Sequence, residues 1–384
     1  MIYLDNAATT KVASEVFEAM RPYLEDEYGN PGSTHKAGIS ARDAVIQARS
    51  QVAGVFGCDP HRIVFTSGGA EGNSSVFAGV RRYLLDRGRA HIIISATEHD
   101  SVRRSAEALI ADGFTVSEVG VYENGVVSTD ELKRLITKET GLVSVMYVNN
   151  EVGSVNPIRE IGEMLADTPI LFHTDCVQAA GMFEIDVSEM QCDYATISSH
   201  KIHGPKGVGA LYIKADAPFA PLINGGEEQE FGLRGGTENV PGIVGFGKAC
   251  EMVEKSLGID TIAVSVMKQS FFEVLTDDRF GIKECIGVNA NSVMAPGKVL
   301  NLKINGVDAQ TLVLYLAGMG VCISAGSACR SHESEPSKTL LAIGLTPDEA
   351  RSSVRFSFSG RMDARDVVKA AELTAAAIKD LREV

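Results

Sequence analysis

Several features are missing from this sequence, and each absence argues against a class of protein. No apolar run approaches the roughly 20 residues that a membrane-spanning helix needs. The first residues, Met-Ile-Tyr-Leu-Asp-Asn, carry neither the basic start nor the apolar stretch of a signal peptide. None of the seven cysteines forms a Cys-x-x-Cys pair, so we expect neither a disulfide framework nor a structural zinc site. The cytosol, where thiols stay reduced, is the expected compartment.

Basic residues are also scarce relative to acidic ones. The 384 residues include 36 Lys and Arg against 50 Asp and Glu, and the net charge is −14. Nucleic acids and anionic membranes both require a basic surface, so neither is an expected partner. A small anionic ligand stays possible, because it needs only a local pocket of donors. The length and the apolar content of 45% predict a globular enzyme of two packed domains.

Two nucleotide-binding signatures are absent as well. No Gly-x-Gly-x-x-Gly follows the first strand, which argues against a nicotinamide dehydrogenase. The glycine turn at Ser67–Glu71 is not followed by Gly-Lys-Ser/Thr, so it is not a P-loop.

Strand-like and helix-like segments alternate along most of the chain. This order predicts a mostly parallel sheet with helices on both faces. A long amphipathic helix is predicted at 40–56, a capping box at Ser128–Glu131 and a further helix at 243–254. An α+β region follows from about residue 258, with strands at 298–304 and 353–358. The strands predicted for the sheet are 63–66, 91–95, 114–119, 142–148, 170–174, 193–198 and 208–213, the last antiparallel because the loop before it is short.

Polar residues follow five of these strands. Ligands of parallel sheets bind beyond the carboxyl ends of the strands, so these residues are expected to meet on one rim. The five groups are Ser67–Glu71, Glu98–His99, Asn149–Asn150, Asp175–Gln178 and Ser198–Lys201.

Lys201 is the first candidate for chemistry. It stands just past the strand 193–198, in a polar loop that glycines bound. A lysine held there and partly desolvated can lose its proton and attack a carbonyl. The alternative is an ordinary lysine on a surface loop.

Three other positions complete a pattern. Ser67-Gly-Gly-Ala-Glu71 joins a strand to a helix, as a phosphate cup does, or as a plain turn does. Asp175 ends a buried strand, where a protonated ring nitrogen would be a suitable partner, or it is a helix N-cap. His99 could stack on a ligand or protonate it, or it is a hydrogen-bonded loop residue. A metal at His200 and His203 is not expected, because no third ligand lies near them in the sequence.

A phosphate cup, an acid for a ring nitrogen and a lysine able to form a Schiff base are what a protein must offer pyridoxal 5′-phosphate. This pattern predicts the cofactor and leaves the reaction open.

Motifs along nearly the whole chain indicate which reaction is expected. These motifs and their order along the chain resemble those of the NifS/IscS-type cysteine desulfurases, which belong to the class V aminotransferase superfamily. The motifs are Tyr3–Thr10, Gly29–Ser33, Thr66–Gly69, Thr97–His99, Val148–Gly153, His173–Asp175 with Gln178, Ser198–Lys201, Gly204–Tyr212, Leu233–Asn239, Ala325–Cys329, Glu335–Ser337 and Val354–Ser357.

The resemblance implies a fold and a domain division. The fold is that of fold type I pyridoxal-phosphate transferases, an α/β class. Residues 15–257 form a large cofactor-binding domain around a mostly parallel seven-stranded sheet. Residues 1–14 and 258–384 form a smaller α+β domain, which carries the loop of the catalytic cysteine.

The resemblance also implies roles for single residues. Lys201 holds the cofactor covalently, His99 stacks on its ring and takes part in proton transfer, and Asp175 pairs with the ring nitrogen. Asn150 and Gln178 bond the cofactor, while Ser198, His200 and the backbone at Gly69 and Ala70 hold its phosphate. Thr237 reaches the phosphate of the neighbouring subunit, which implies a homodimer. Asn30 and Arg355 bind the substrate carboxylate, a role that the planar guanidinium also suits on its own chemistry.

Cys329 decides the reaction. It stands among small residues next to Arg330, which favours the thiolate, whereas Cys58, Cys192, Cys250 and Cys285 are expected to be buried and inert. The resemblance implies that L-cysteine is converted to L-alanine with a persulfide on Cys329. The sulfur then passes to an acceptor protein, such as an iron–sulfur scaffold, or to another pathway such as tRNA thiolation. Alternatives are a selenocysteine lyase, another class V aminotransferase, or a non-catalytic partner in sulfur transfer.

The sequence departs from the family pattern at two places. Ala70 and Gly72 replace the usual threonine and serine, which predicts the loss of one hydroxyl to the phosphate and weaker cofactor retention, by roughly 0.5–1.5 kcal/mol. Glu227, Glu228 and Phe231 replace glycines and an arginine near the expected subunit interface.

Overall fold

The structure is a computed structural model that describes residues 1–326 and 336–383. Its largest sheet has seven strands. They are β2 (Ile63–Thr66), β3 (His91–Ser95), β4 (Thr115–Val119), β5 (Thr140–Ser144), β6 (Leu171–Asp175), β7 (Tyr194–Ser198) and β8 (Gly209–Ile213).

The order across this sheet is β2-β8-β7-β6-β5-β3-β4. Neighbours from β7 to β4 pair in parallel. Only β8 runs against the others of this sheet, between β7 and β2. The predicted α/β class, with a mostly parallel seven-stranded sheet and an antiparallel strand after the short loop, is therefore confirmed.

One strand ends earlier than predicted. β5 stops at Ser144, whereas the apolar run suggested a strand to Val148. The chain still runs beside β6, since the Tyr147 amide donates to the Asp175 carbonyl at 2.9 Å. Val148 instead pairs antiparallel with Val155, because the chain turns back through Asn149 and Asn150.

Helices cover both faces of this sheet, so its central strands are buried on both sides. Ile93 and Phe172 pack into the core on one face, and Ile92 and Leu142 into the core on the other. No helix of the described ranges is both long and apolar enough to cross a membrane. The helices of this half are α1 (Ser14–Glu25), α2 (Lys36–Phe56), α3 (Gly69–Leu85), α4 (Asp100–Ala108), α5 (Thr129–Leu135), α6 (Ile158–Leu165) and α7 (Val187–Met190).

The predicted capping box is half formed. The Ser128 hydroxyl accepts from the Glu131 amide at the start of α5. The Glu131 carboxylate does not return to Ser128 but accepts from the Gly120 amide at 3.1 Å.

The remaining elements form two smaller sheets and a second core. A four-stranded antiparallel sheet has the order β12-β13-β10-β9, and β1 pairs in parallel with β11. The elements are β1 (Ile2–Tyr3), α8 (Val240–Leu275), β9 (Ile286–Val288), β10 (Val299–Ile304), α9 (Ala309–Gly318), β11 (Val321–Cys322), β12 (Ser324–Ala325), α10 (Lys338–Ala342), α11 (Pro347–Arg351), β13 (Ser353–Ser357) and α12 (Ala364–Arg382).

Helix α8 belongs to both cores. Phe246 packs in the core of the large sheet, and Phe271 packs in the core of the small ones. The helix predicted at 243–254 is only its first part. The predicted domain boundary after residue 257 falls inside this continuous helix, and the division into 15–257 against 1–14 with 258–384 stays a prediction.

A buried ion pair fixes the start of the large sheet to the segment after β8. Arg49 of α2 donates to both Glu230 oxygens at 2.7 Å, and the guanidinium lies between the rings of Phe65 and Phe231. Glu230 also accepts from the Phe65 amide at 2.8 Å. Glu230 and Phe231 both have left-handed backbone angles, with φ of +43° and +59°. The ion pair is a physical reason for this costly conformation.

We predict that Glu230→Ala destabilises the chain strongly. The change leaves the Arg49 guanidinium buried without its carboxylate, which costs about 3–5 kcal/mol of unfolding free energy. Urea unfolding of wild type and variant measures the loss. Asp86→Ala is the matched control, because the Arg82–Asp86 pair is exposed and such pairs contribute less than about 1 kcal/mol. Equal losses in the two variants would contradict this account of Glu230.

Candidate active site

The five strand ends meet at one cavity of about 250 Å³. Ten of the residues predicted for the site line it, on elements far apart in the sequence. The ten are Gly69, Ala70, His99, Asn150, Asp175, Gln178, Ser198, His200, Lys201 and Arg355. The prediction that polar groups after these strands converge is confirmed.

Lys201 ends the short 3₁₀ turn Ser199–Lys201 that follows β7 directly. Its Nζ donates to the carbonyls of Ala7 and Ala8, both at 2.7 Å. The amine is therefore held inside the cavity by the N-terminal segment and is not a lysine on a solvated loop. His200 beside it contacts the Thr9 hydroxyl at 3.1 Å. Burial, and then the nearby Lys201, lower the pKa of His200 to about 4, so it is neutral at neutral pH.

The end of the cavity at the start of α3 suits an anion. Helix α3 begins at Gly69, and its first amides lie at the cavity wall, where the helix dipole favours negative charge. A Cβ on Gly69 would stand 2.8 Å from the Val177 side chain, so glycine keeps this approach open. The Ser198 hydroxyl is buried and has no partner in the protein. A phosphate would supply one.

Ala70 and Gly72, the two residues of this turn that differ from the family pattern, have different surroundings. Ala70 lines the cavity, so a hydroxyl is missing there. Gly72 does not line it. A Cβ on Gly72 would lie 2.6 Å from the Thr196 side chain, so Gly72 lets α3 pack against β7. Of the two positions, therefore, only position 70 faces the cavity, and position 72 serves the packing of α3.

Asp175 is buried at the end of β6. Its carboxylate accepts from the Asn73 side chain at 2.7 Å and from the Val177 amide at 2.9 Å. Burial, and then the charge of Asp175, raise the pKa of the buried Glu98 well above its usual range. Glu98 therefore holds its proton more readily than an ordinary glutamate at this end of the sheet.

Asn150, Gln178 and His99 also line the cavity. The Gln178 side chain donates to the Ala7 carbonyl at 2.9 Å, and its Oε1 is buried without a protein partner. The Asn150 carbonyl accepts from Arg355 at 2.9 Å. His99 is the N-cap of α4, and its Nδ1 accepts from the Ser101 amide.

Arg355 of β13 brings the smaller sheet to the site. It is 1% exposed and forms an ion pair with Asp5 at 2.9 Å. Its Nε is buried and has no partner in the protein. Part of the guanidinium is therefore available to a carboxylate in the cavity.

Two predicted residues, Asn30 and Thr237, do not line this cavity, and a third cannot be placed. Asn30 is exposed, and its side chain accepts from the Gly32 amide. Thr237 is exposed and lines a separate cavity of about 140 Å³ with Ser67 and Arg234. Cys329 lies outside the described residues. The roles given to these three stay predictions.

Sequence reasoning missed several lining residues. Asn73 lies in the second turn of α3, four residues beyond the motif Thr66–Gly69, and Ser101 lies in the first turn of α4, two residues beyond the motif Thr97–His99. Ala7 and Ala8 belong to the quoted motif Tyr3–Thr10, but their contribution is a backbone carbonyl, which no side-chain pattern reveals.

The other departures lie on the segment tied to Arg49. Phe231 stands where the family pattern has an arginine. Its ring covers the Arg49 guanidinium, and the distance from the Arg49 Cζ to the ring centroid is 4.9 Å. Glu227 and Glu228 are exposed. A second ion pair, Arg234 with Glu71 at 2.9 Å, ties the same segment to the Ser67 turn, because Glu71 also accepts from the Ser67 amide.

The six described cysteines are free thiols. Burial raises the pKa of Cys58 to about 12 and raises the pKa of Cys176, Cys192, Cys250 and Cys285 as well. These five thiols are therefore protonated at neutral pH, which agrees with an inert role.

The cavity as a whole fits pyridoxal phosphate. Four buried polar atoms on its lining residues lack protein partners: Asn73 Oδ1, Gln178 Oε1, Ser198 Oγ and Arg355 Nε. Buried polar groups are normally hydrogen-bonded, so this cluster indicates a polar ligand. The donors at the start of α3, the carboxylate of Asp175 and the amine of Lys201 match a phosphate, a ring nitrogen and an aldehyde.

Comparison with known proteins defines the class. The family model Aminotransferase class-V matches residues 2–369. This chain therefore belongs to the aminotransferase class-V family, and the fold and the cavity agree with that assignment.

Proteins similar to this chain include cysteine desulfurases and NifS-like proteins. A cysteine desulfurase of Trichormus azollae is 41% identical over 93% of this chain and 88% of the relative. A solved NifS-like protein has a TM-score of 0.88 and 32% identity, covering 100% of this chain and 98% of that one. The solved structure described as SspA in complex with cysteine has a TM-score of 0.80 and 34% identity, covering 93% and 99%.

Lys298 lines a small cavity next to the site together with Lys201, and its position predicts an effect of pH on stability. Lys298 is buried, and its Nζ donates to the Lys201 carbonyl at a long 3.4 Å. Burial, and then the charges of Lys201 and Arg355, lower the pKa of Lys298 from 10.5 to about 7. The folded chain therefore binds fewer protons than the unfolded chain between these values. The free energy of unfolding contributed by this group must rise with pH across that window.

We predict that Lys298→Met stabilises the cofactor-free protein below about pH 7, where the folded chain pays for a buried charge. One pKa unit corresponds to about 1.4 kcal/mol, so the gain is a few kcal/mol. It should shrink as the pH approaches 10.5, the unperturbed value. Urea unfolding at several pH values measures it, with the exposed Lys133→Met as control. A gain that stays constant with pH would contradict the assigned cause.

Proposed function

We propose that this chain is a pyridoxal-phosphate-dependent cysteine desulfurase, which converts L-cysteine to L-alanine and retains the sulfur as a persulfide on Cys329. One observation carries the proposal. Lys201, Asp175 and Arg355 come from three distant parts of the chain and meet at one cavity with four unpartnered buried polar atoms. The names of the relatives support the same activity.

The residues that would hold the cofactor follow from the cavity. Lys201 would bind it covalently, and Asp175 would pair with its ring nitrogen. Ser198, His200 and the start of α3 at Gly69 and Ala70 would hold its phosphate. Gln178, Asn150 and His99 would contact the rest. Bound pyridoxal phosphate supplies an electron sink that stabilises negative charge on the substrate Cα.

The substrate side of the reaction uses the chain's own groups. Arg355 binds the cysteine carboxylate, which its unpartnered Nε supports. The Lys201 amine moves the proton of the substrate Cα. Asn30 remains the proposed second ligand of the carboxylate.

Sulfur transfer is assigned to the Cys329 thiolate. It attacks the substrate sulfur, so that a sulfur–sulfur bond forms and the bond from sulfur to the substrate Cβ breaks. The carbon keeps that electron pair and takes up a proton, which gives alanine. The sulfur is oxidised as the carbon is reduced, so no external oxidant is required. The high pKa values of the other buried thiols support Cys329 as the nucleophile.

The partners belong to the same proposal. The exposed position of Thr237, outside the cavity of its own chain, supports a homodimer in which it reaches the phosphate of the neighbouring subunit. An acceptor protein such as an iron–sulfur scaffold would take the persulfide sulfur, and the cytosol is the proposed compartment. The net charge of −14 continues to argue against direct nucleic-acid binding.

The cofactor is tested by its attachment. The purified protein should be yellow, and borohydride should bleach the colour and fix the cofactor on the peptide that contains Lys201, as mass spectrometry detects. Lys201→Ala should lose the covalent label, whereas the exposed Lys206→Ala should keep it. A label on another lysine, or no label, would refute the assignment.

The nucleophile is tested by separating sulfur release from cofactor binding. Cys329→Ala should keep the cofactor but lose sulfide release from cysteine under reductant, falling to the background rate. Cys322→Ala, seven residues earlier, should stay active. In the wild type, one extra sulfur atom should appear on the Cys329 peptide. Sulfide release at full rate from Cys329→Ala would overturn the persulfide step.

A further inference from the structure

The imidazole of His99 is held in one protonation pattern by the start of α4. The Ser101 backbone amide donates to Nδ1 at 3.1 Å, and the Ser101 hydroxyl lies 2.8 Å from the same nitrogen. A backbone amide can only donate, and its direction is fixed by the helix. Nδ1 is therefore an acceptor, and a neutral His99 carries its proton on Nε2.

The hydroxyl of Ser101 is oriented in turn by a buried amide. The Asn73 side-chain nitrogen donates to the Ser101 hydroxyl at 2.9 Å, which directs the hydroxyl proton toward His99 Nδ1. The second proton of the same nitrogen donates to Asp175 at 2.7 Å. The reverse orientation of the amide would face its oxygen to the Asp175 carboxylate, so the orientation is determined.

A continuous chain of hydrogen bonds thus joins two residues of the cavity that sequence patterns treat separately. It runs from Asp175 through Asn73 and Ser101 to His99, across β6, α3 and α4. Asn73 is 1% exposed, so water does not compete for its two bonds.

We propose that Ser101 and Asn73 are positioning residues that fix His99 as the Nε2–H tautomer, so that its ring presents a hydrogen-bond donor to the group in the cavity. An imidazolium would need a second proton on Nδ1, where the Ser101 amide already points. His99 is therefore a neutral donor and not the acceptor of the substrate proton. Under the proposed function, on which this last step rests, proton uptake falls to the Lys201 amine. Charged groups that share the cavity with His99 are Asp175, Lys201 and Arg355.

The tautomer can be read directly. Solid-state ¹⁵N NMR of protein labelled at histidine, without cofactor and with it, distinguishes a protonated ring nitrogen from an accepting one. The His99 signals are assigned by their loss in His99→Gln. At neutral pH the wild type should show a protonated Nε2 and an accepting Nδ1. A protonated Nδ1, or an imidazolium, would overturn the proposal.

Three variants test the positioning chain. Ser101→Ala removes one of the two donors to Nδ1, so the Nδ1 signal should move downfield. Ser101→Thr keeps a hydroxyl and should restore it. Ser105→Ala is the matched control on the same helix, because its hydroxyl bonds Ser74 and the Ser101 carbonyl but not His99. Identical His99 signals in wild type and Ser101→Ala would remove Ser101 from the proposal.

Kinetics give a second readout. Loss of one neutral hydrogen bond that acts in the transition state corresponds to a roughly two- to tenfold change in rate. Ser101→Ala should lower kcat for cysteine by that factor with KM unchanged, and Ser101→Thr should recover it. An unchanged kcat in Ser101→Ala would contradict a positioning role. If the wild type itself did not act on cysteine, the proposed function would fail, while the NMR spectra would still decide the tautomer of His99.

Discussion

Lys201 follows the last residue of β7 in the large sheet by one short turn, Arg355 lies in β13 of a smaller sheet, and the backbone of residues 5–8 lies between them. The carbonyls of Ala7 and Ala8 accept from the Lys201 amine, and Asp5 pairs with Arg355. The same segment is held at its ends, since β1 pairs with β11 and the Thr10 amide donates to the His200 carbonyl at 2.9 Å. Charged groups cannot stay buried without such partners. The relative position of amine and guanidinium therefore depends on this crossing segment.

A second set of contacts holds the anion end of the cavity. The Arg49–Glu230 and Arg234–Glu71 ion pairs attach the segment after β8 to β2 and to the Ser67 turn. Thr237 lies on that segment and lines a cavity with Ser67 of the turn. The substitution at Phe231 keeps the guanidinium of Arg49 covered, whereas the exposed Glu227 and Glu228 make no contact that explains them.

Much of the fold and of the site could be predicted, for identifiable reasons. β2 and β3 were predicted to the residue, because short buried runs with clear turns at both ends fix a strand. β5 was predicted too long, since the buried run to Val148 stays apolar after the ladder ends. Helix α8 was predicted too short, because its apolar pattern changes where it passes from one core to the other. Asp175 was recognised because an acid at the end of a buried strand needs a cationic partner, and Arg355 because its motif resembles that of the family and a guanidinium suits a carboxylate.

The sequence by itself determined the alternation of strands and helices, the chemical types at the strand ends and the family, because these depend on local patterns and on motifs read in order. The tertiary structure decided what depends on distance and direction. It assigned Gly72 to packing rather than to the anion end, and it made carbonyls of Ala7 and Ala8 partners of Lys201. It also joined His99 to Asp175 through Asn73 and Ser101. Hydrogen bonds depend on the placement of atoms from separate elements, which local residue order does not contain.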